Sequence, residues 1–208
     1  MKREIEIGES YFRNYGGSGE PYWRTWLLFT HPEDCVGWVR EQPPSTVRSL
    51  WVLGTATGQV LRFFDRRLGF KPWGCEVSPW AFERIPLDYR RRVRRASMTS
   101  EVERWIARRR VFDLAYSNSL IYLSPDELAA FVPRLALAAR HVYFRSSVRG
   151  ACCPDPHRKT LESWAWWERL FAESGFEHLP PRAGQRRGYV WRSLRARPRR
   201  RLRSILSP

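Results

Sequence analysis

The tightest constraint on this chain is one junction near its first quarter. The apolar run Ser49-Leu-Trp-Val-Leu53 passes at once into Gly54-Thr-Ala-Thr-Gly58, and then Val60, Leu61, Phe64 and Leu68 recur at helical spacing up to Gly69. A short continuous apolar run reads as a strand buried on both faces. A glycine just past the last periodic position is where a helix C-cap belongs. Strand, glycine turn and helix in that order open a β-α-β unit.

The alternation continues downstream. Strands are expected over residues 71–77, 93–96, 111–116 and 141–145, with helices around Trp80 to Ile85, Val102 to Ile106 and from Ser124 onward. Ser124-Pro-Asp-Glu127 combines a serine N-cap, a first-turn proline and a glutamate at the capping-box position. Pro133 is expected to kink or end that helix. Leu161, Trp164, Trp167, Leu170 and Phe171 fall on one face of a further helix that Gly175 can terminate. No helix fits between residues 176–179 and 188–193, so these two strands should pair as an antiparallel hairpin. The expected fold is α/β: a doubly wound, Rossmann-like, mostly parallel seven-stranded sheet with a terminal antiparallel hairpin and helices on both faces.

The 208 residues, 43% hydrophobic, can bury one substantial core. Residues 49–193 form the expected domain. Residues 1–48, with Tyr11, Tyr15, Tyr22, Trp23 and Trp26, form a helical and aromatic preface, read either as core packing or as a lid; residues 194–208 form a basic tail. No run of about 18 apolar residues is present for a membrane helix, and the N-terminus lacks the apolar stretch of a secretory signal, so the expected address is the cytoplasm without membrane contact. The four cysteines read as reduced thiols. Cys152-Cys153-x-x-x-His157 offers too few ligands at unsuitable spacing for a metal site.

Net charge is +16, yet only three of the 37 basic residues are lysine. So strong an arginine bias can reflect base composition as well as phosphate recognition, where both cations serve. Seven arginines lie in the last 18 residues, which contain no acid, so residues 1–190 carry 30 basic groups against 21 acidic ones. Part of the excess is a tail.

In a doubly wound sheet the ligand binds outside the carboxyl ends of the strands, and the first strand-helix turn is the usual contact. The dinucleotide fingerprint places glycines where this chain has Gly54, Ala56 and Gln59, and Gln59 spoils that match. The spacing Gly54-x-Ala56-x-Gly58, with Glu76 ending the second strand, instead resembles the class I S-adenosylmethionine-dependent methyltransferases. Gly74-Cys-Glu76-Val-Ser78-Pro79 resembles the family's second motif, and Phe112 to Glu127 its fourth-strand region. With the terminal hairpin, the likeness runs from about Ser49 to Arg192.

The resemblance implies S-adenosylmethionine as cofactor. It would be held by Gly54, Thr55, Ala56 and Gly58, by Glu76 on the ribose, by Val77, Ser97, Met98 and Ser117, and by Tyr15 from the preface. Catalysis would rest on in-line positioning and exclusion of water, with a general base needed only where the acceptor must lose a proton. Tyr116, Asn118 and Tyr122 lie nearest in sequence to the active-site end of the fourth strand and are the catalytic candidates, with Tyr15 and His157 contributing from flanking loops. Two departures stand out. An acid common in the family two positions before Gly54 is Val52 here, so another group must hold the cofactor's ammonium; Ser97-Met98 replaces the third-strand acid.

Asn118 is followed by Ser-Leu-Ile rather than by base-cradling prolines, and no nucleophilic cysteine stands there, which disfavours nucleobase chemistry. The expected acceptor is an O, N or C atom of a small molecule. The alternatives are RNA, bound through the basic surface and Arg199, Arg200 and Arg201, and a non-catalytic nucleic-acid-binding protein on a degenerate fold. Oligomeric state is not read from the sequence.

Overall fold

A computed structural model describes residues 7–14, 19–145, 155, 157–181 and 189–196, without the side chains of Leu28 and Phe29. Three helices come first: α1 (Glu9–Arg13), α2 (Tyr22–Thr30) and α3 (Pro32–Glu41). The sheet begins with β1 (Leu50–Leu53), α4 (Gln59–Leu68), β2 (Trp73–Glu76), α5 (Pro79–Glu83), α6 (Leu87–Arg90) and β3 (Val93–Arg95). It continues through α7 (Met98–Ala107), β4 (Phe112–Ser117), α8 (Pro125–Ala138), β5 (Ala139–Phe144), α9 (Trp164–Glu173), β6 (Phe176–His178) and β7 (Val190–Ser193).

The seven strands lie in the order β3-β2-β1-β4-β5-β7-β6. All pairs are parallel except β5–β7 and β6–β7, so the expected hairpin is present and β7 is the reversed strand. Chain order reverses between β1 and β4, where Val52 sits opposite both Gly74 and Tyr116. Such a switch point opens a crevice at the carboxyl ends of its strands.

Alternate residues of the central strands feed two cores. Trp51, Ala115, Val142 and Phe144 pack with α7, α8 and α9 on one face. Leu50, Val52, Leu114, Tyr116 and Tyr143 pack with α3 and α4 on the other. The preface is thus not uniform, because Cys35, Val36 and Trp38 of α3 are buried in the second core together with Phe64 of α4.

Gly69 has φ +74 and caps α4, and Ser124 with Glu127 completes the capping box of α8. Pro133 neither ends nor interrupts α8, which runs to Ala138. The carbonyl that Pro133 leaves without its helical donor belongs to exposed Ala129, where water can serve it, while Leu135, Ala136 and Ala138 anchor the next turn in the core. Helix α8 then passes directly into β5 at Ala139. Leu161 is exposed and precedes α9, whose N-cap is Ser163.

Candidate functional site

The glycine turn is shaped by two backbone positions that a side chain would block. Gly54 has φ +80, and a Cβ there would lie 2.6 Å from Ser119 Oγ. Gly58 has φ +90 at the N-cap of α4, and a Cβ there would meet Pro86 Cδ at 3.0 Å. Between them Ala56 also takes a positive φ, +48, which costs an L-residue roughly 1–2 kcal/mol. Its amide donates to Glu76 Oε2 at 2.7 Å, so the acid of β2 holds the strained turn in place.

Glu76 is buried at 6% exposure, and its other oxygen, Oε1, accepts the Ser78 amide at 2.8 Å. Burial raises its pKa above the ordinary carboxylate value, an effect opposed by hydrogen bonds from the backbone of Ser78, Ala56, Val77 and Thr55. Ser78 N-caps α5 through Ala81, which fixes the chain as it leaves the acid. Val77 is apolar and 56% exposed beside the carboxylate. A buried acid next to an exposed apolar side chain suits a ligand with a diol on one part and a flat ring on the next. Thr55 Oγ1, in the same turn, is buried with no hydrogen-bond partner among the described residues.

At the end of β4, Ser117 is buried; its hydroxyl donates to the Leu53 carbonyl at 3.4 Å and accepts the Ser119 amide at 3.0 Å. This joins the two strands that flank the switch point. Asn118 is half-buried beside Ser119. Ser97 lies at the end of β3, where its hydroxyl accepts the Ser100 amide as the N-cap of α7; Met98 is half-buried against the first core.

Tyr116 requires a correction. Its side chain is 1% exposed, its hydroxyl donates to the Thr30 carbonyl, and it stacks on Tyr143 and meets Phe64 edge-on. Burial pushes its pKa far above the ordinary phenol value. It is a core residue, because strand alternation turns its side chain to the α3–α4 face. Val52 is buried in the same core, so β1 supplies no acid to the site. Tyr15, Cys152, Cys153, Arg199, Arg200 and Arg201 lie outside the described residues.

Tyr122 ends a short 3-10 turn (Leu120–Tyr122) beyond β4 and meets residues that no local pattern could have connected to it. Its hydroxyl lies 2.6 Å from that of Tyr11 on α1 and donates to Asp155 Oδ2 at 2.8 Å. Asp155 is buried at 5% exposure, also reaches Tyr11 at 3.3 Å, and accepts the His157 amide on Oδ1 at 3.0 Å. The His157 ring stands edge-on to Tyr11 at 4.8 Å. The segment is tied down because Lys159 and Thr160 amides donate to the Ile121 carbonyl and Thr160 Oγ1 donates to Leu123. Phe12 stacks on Trp80 at 5.3 Å, and Ala56 and Tyr122 pack against the cluster of Tyr11, Phe12, Tyr22 and Ala81. Helix α1 therefore packs beside both the glycine turn and the phenol pair.

Among solved structures, a S-adenosylmethionine-dependent methyltransferase from Archaeoglobus fulgidus matches with a TM-score of 0.56 at 13% identity, over 70% of this chain and 69% of its own. The sugar N-methyltransferase KedS8 from Streptoalloteichus matches at 0.56 with 19% identity, over 77% and 85% of the two chains. The methyltransferase SibL matches at 0.57 with 17% identity, over 84% of this chain and 57% of its own. The chain has the class I methyltransferase fold. Within that methyltransferase fold the glycine turn, Glu76 and the β4 loop share the carboxyl end of the sheet, where the topology puts a ligand. No protein-family model and no curated protein sequence matches the chain. Among the described residues, no helix is long and apolar enough to cross a membrane.

Proposed function

We propose that this protein is a S-adenosylmethionine-dependent methyltransferase acting on a small molecule. The observation that carries the reading is the buried Glu76, which braces a turn of three positive-φ residues at the switch point and stands beside exposed Val77. On this reading Gly54, Thr55, Ala56 and Gly58 lie along the methionyl portion. Glu76 accepts from the ribose hydroxyls, Val77, Ser97 and Met98 border the adenine, and Ser117 keeps the β1 and β4 ends together. The cofactor supplies an activated methyl on a sulfonium whose neutral thioether leaves without protonation. What the chain supplies is alignment of the acceptor and a water-poor site, with Asn118 and Tyr122 beside the methyl and α1 as cover.

The placement of the arginines favours a small acceptor over RNA. The guanidiniums of Arg92 and Arg110 stack on Trp73, 5.3 and 4.6 Å from the ring centre, and Arg110 also faces Phe112 at 4.9 Å. Trp73 and Phe112 begin their strands, so this basic cluster lies at the amino end of the sheet, away from the glycine turn. Purified protein with tritiated S-adenosylmethionine, offered a small-metabolite extract and total RNA in parallel, should label the metabolite fraction at a rate nearly independent of salt. Label entering RNA with a steep inverse salt dependence would overturn the preference, since each phosphate contact on a single strand contributes a slope of about 0.7.

A further inference from the structure

Resting on the methyltransferase reading, the geometry points to Tyr11, Tyr122 and Asp155 as a proton-accepting chain that selects a hydroxyl group as the methyl acceptor. A carboxylate only accepts hydrogen bonds, so Tyr122 donates to Asp155 at 2.8 Å, and its single proton is then committed. The Tyr11 proton is therefore shared between the Tyr122 oxygen at 2.6 Å and Asp155 Oδ2 at 3.3 Å. Protons can move in one sense through this group, into the Tyr11 oxygen and on to Asp155, with Tyr122 offering the route of shortest links. The group lies beside the cofactor turn, because Tyr11, Tyr122 and Ala56 belong to one packed cluster.

The surroundings of Asp155 decide which acceptor it suits. Arg158, whose side chain is 7% exposed, places Nε 3.8 Å from Oδ2, and the His157 amide donates to Oδ1. An alkylammonium must lose its proton before it can attack, and a nearby carboxylate favours its charged, non-nucleophilic form. A hydroxyl attacks while neutral and becomes strongly acidic only as the new bond forms, when a carboxylate takes its proton. In that step a lone pair of the hydroxyl oxygen forms the carbon–oxygen bond, and the methyl–sulfur bond breaks with its electron pair left on sulfur. The hydroxyl proton passes to Tyr11 as the Tyr11 proton passes to Tyr122 and the Tyr122 proton to Asp155, which returns it to solvent after the ether leaves.

The test uses the full chain with tritiated S-adenosylmethionine and four probes: catechol, methyl glucoside, glucosamine and thiophenol. Label should enter catechol or methyl glucoside at oxygen. Asp155→Asn keeps the shape of the side chain and should lower turnover about 100-fold or more. It should leave S-adenosylhomocysteine affinity unchanged. Tyr11→Phe, which leaves Asp155 and its other contacts in place, should lower kcat with little change in KM, and it serves if Asp155→Asn fails to fold. Label confined to an amine nitrogen or to the thiol, no label in either oxygen-only probe, or full turnover in Tyr11→Phe overturns the proposal. Failure of the wild-type protein to bind S-adenosylhomocysteine would instead sink the methyltransferase reading, whereas binding without transfer to a hydroxyl sinks the proton chain alone.

Discussion

The two halves of the candidate site are built in opposite ways. The cofactor half is local: Gly54, Ala56, Gly58 and Glu76 fall within one β-α-β unit, and Glu76 reaches only 20 residues back to Ala56. The acceptor half is assembled from three distant segments, with 111 residues between Tyr11 and Tyr122 and 144 between Tyr11 and Asp155. A local site is specified by backbone geometry that few residues allow. The distant one is specified by tertiary packing of α1 and the 155–160 segment, so its chemistry can vary while the turn stays the same.

The largest effect should come from breaking the local half. Gly54→Val adds a branched side chain at φ +80 where Ser119 Oγ already stands 2.6 Å from the Cβ position. It should abolish S-adenosylhomocysteine binding in calorimetry, while the phenol cluster stays assembled. An unaltered affinity would mean that the turn does not meet the ligand.

Sequence legibility follows the same division. Gly69, the capping box at Ser124 and the reversed β7 were readable because each depends on neighbours within a few residues or on connection length. Pro133 misled because its effect depends on whether the freed carbonyl faces water, which only the packed helix reveals. Tyr116 misled because proximity to the strand end says nothing of which face its side chain takes; one residue earlier or later would have faced the other core. Asp155 left no signal at all, and Tyr11 was marked only as one of the preface aromatics, since nothing in either neighbourhood marks a partner more than thirty residues away. His157, expected to contribute from a flanking loop, has Tyr11 and Asp155 as its companions in the structure.

A smaller effect sharpens the role of Glu76. Its carboxyl is raised by burial, so the apo protein gains stability as pH falls through the raised value and loses that contribution as pH rises through it. Ribose recognition needs the ionised form, so cofactor affinity should move the other way and fall on acidification, starting above the ordinary carboxylate range. Removing the acceptor in Glu76→Ala should cost roughly 1.5 to 3 kcal/mol of binding and flatten that pH dependence. Titrations at several pH values with parallel thermal melts check both signs; affinity that rises on acidification would contradict the ribose role.

The smallest effect concerns the tail, which belongs to neither half. Leu194 donates its amide to the Gly175 carbonyl, and the Arg195 and Ala196 amides donate to Ser193 Oγ, so ordered contacts continue a few residues past β7. Truncation after Ala196 should leave the melting temperature and cofactor affinity unchanged, and truncation after Ser193 should lower the melting temperature by a few degrees, since about 1 kcal/mol shifts a domain of this size by about 2–4 °C. A large drop from the shorter truncation would place the tail within the folded core.

Whether the glycine turn and Glu76 form a cofactor site is decided by calorimetric titration of the full chain with S-adenosylhomocysteine, beside Glu76→Ala. The wild-type protein should show one site per chain, and the variant an affinity about 10-fold or more weaker. No binding by the wild-type protein, or equal binding by both, would contradict such a site.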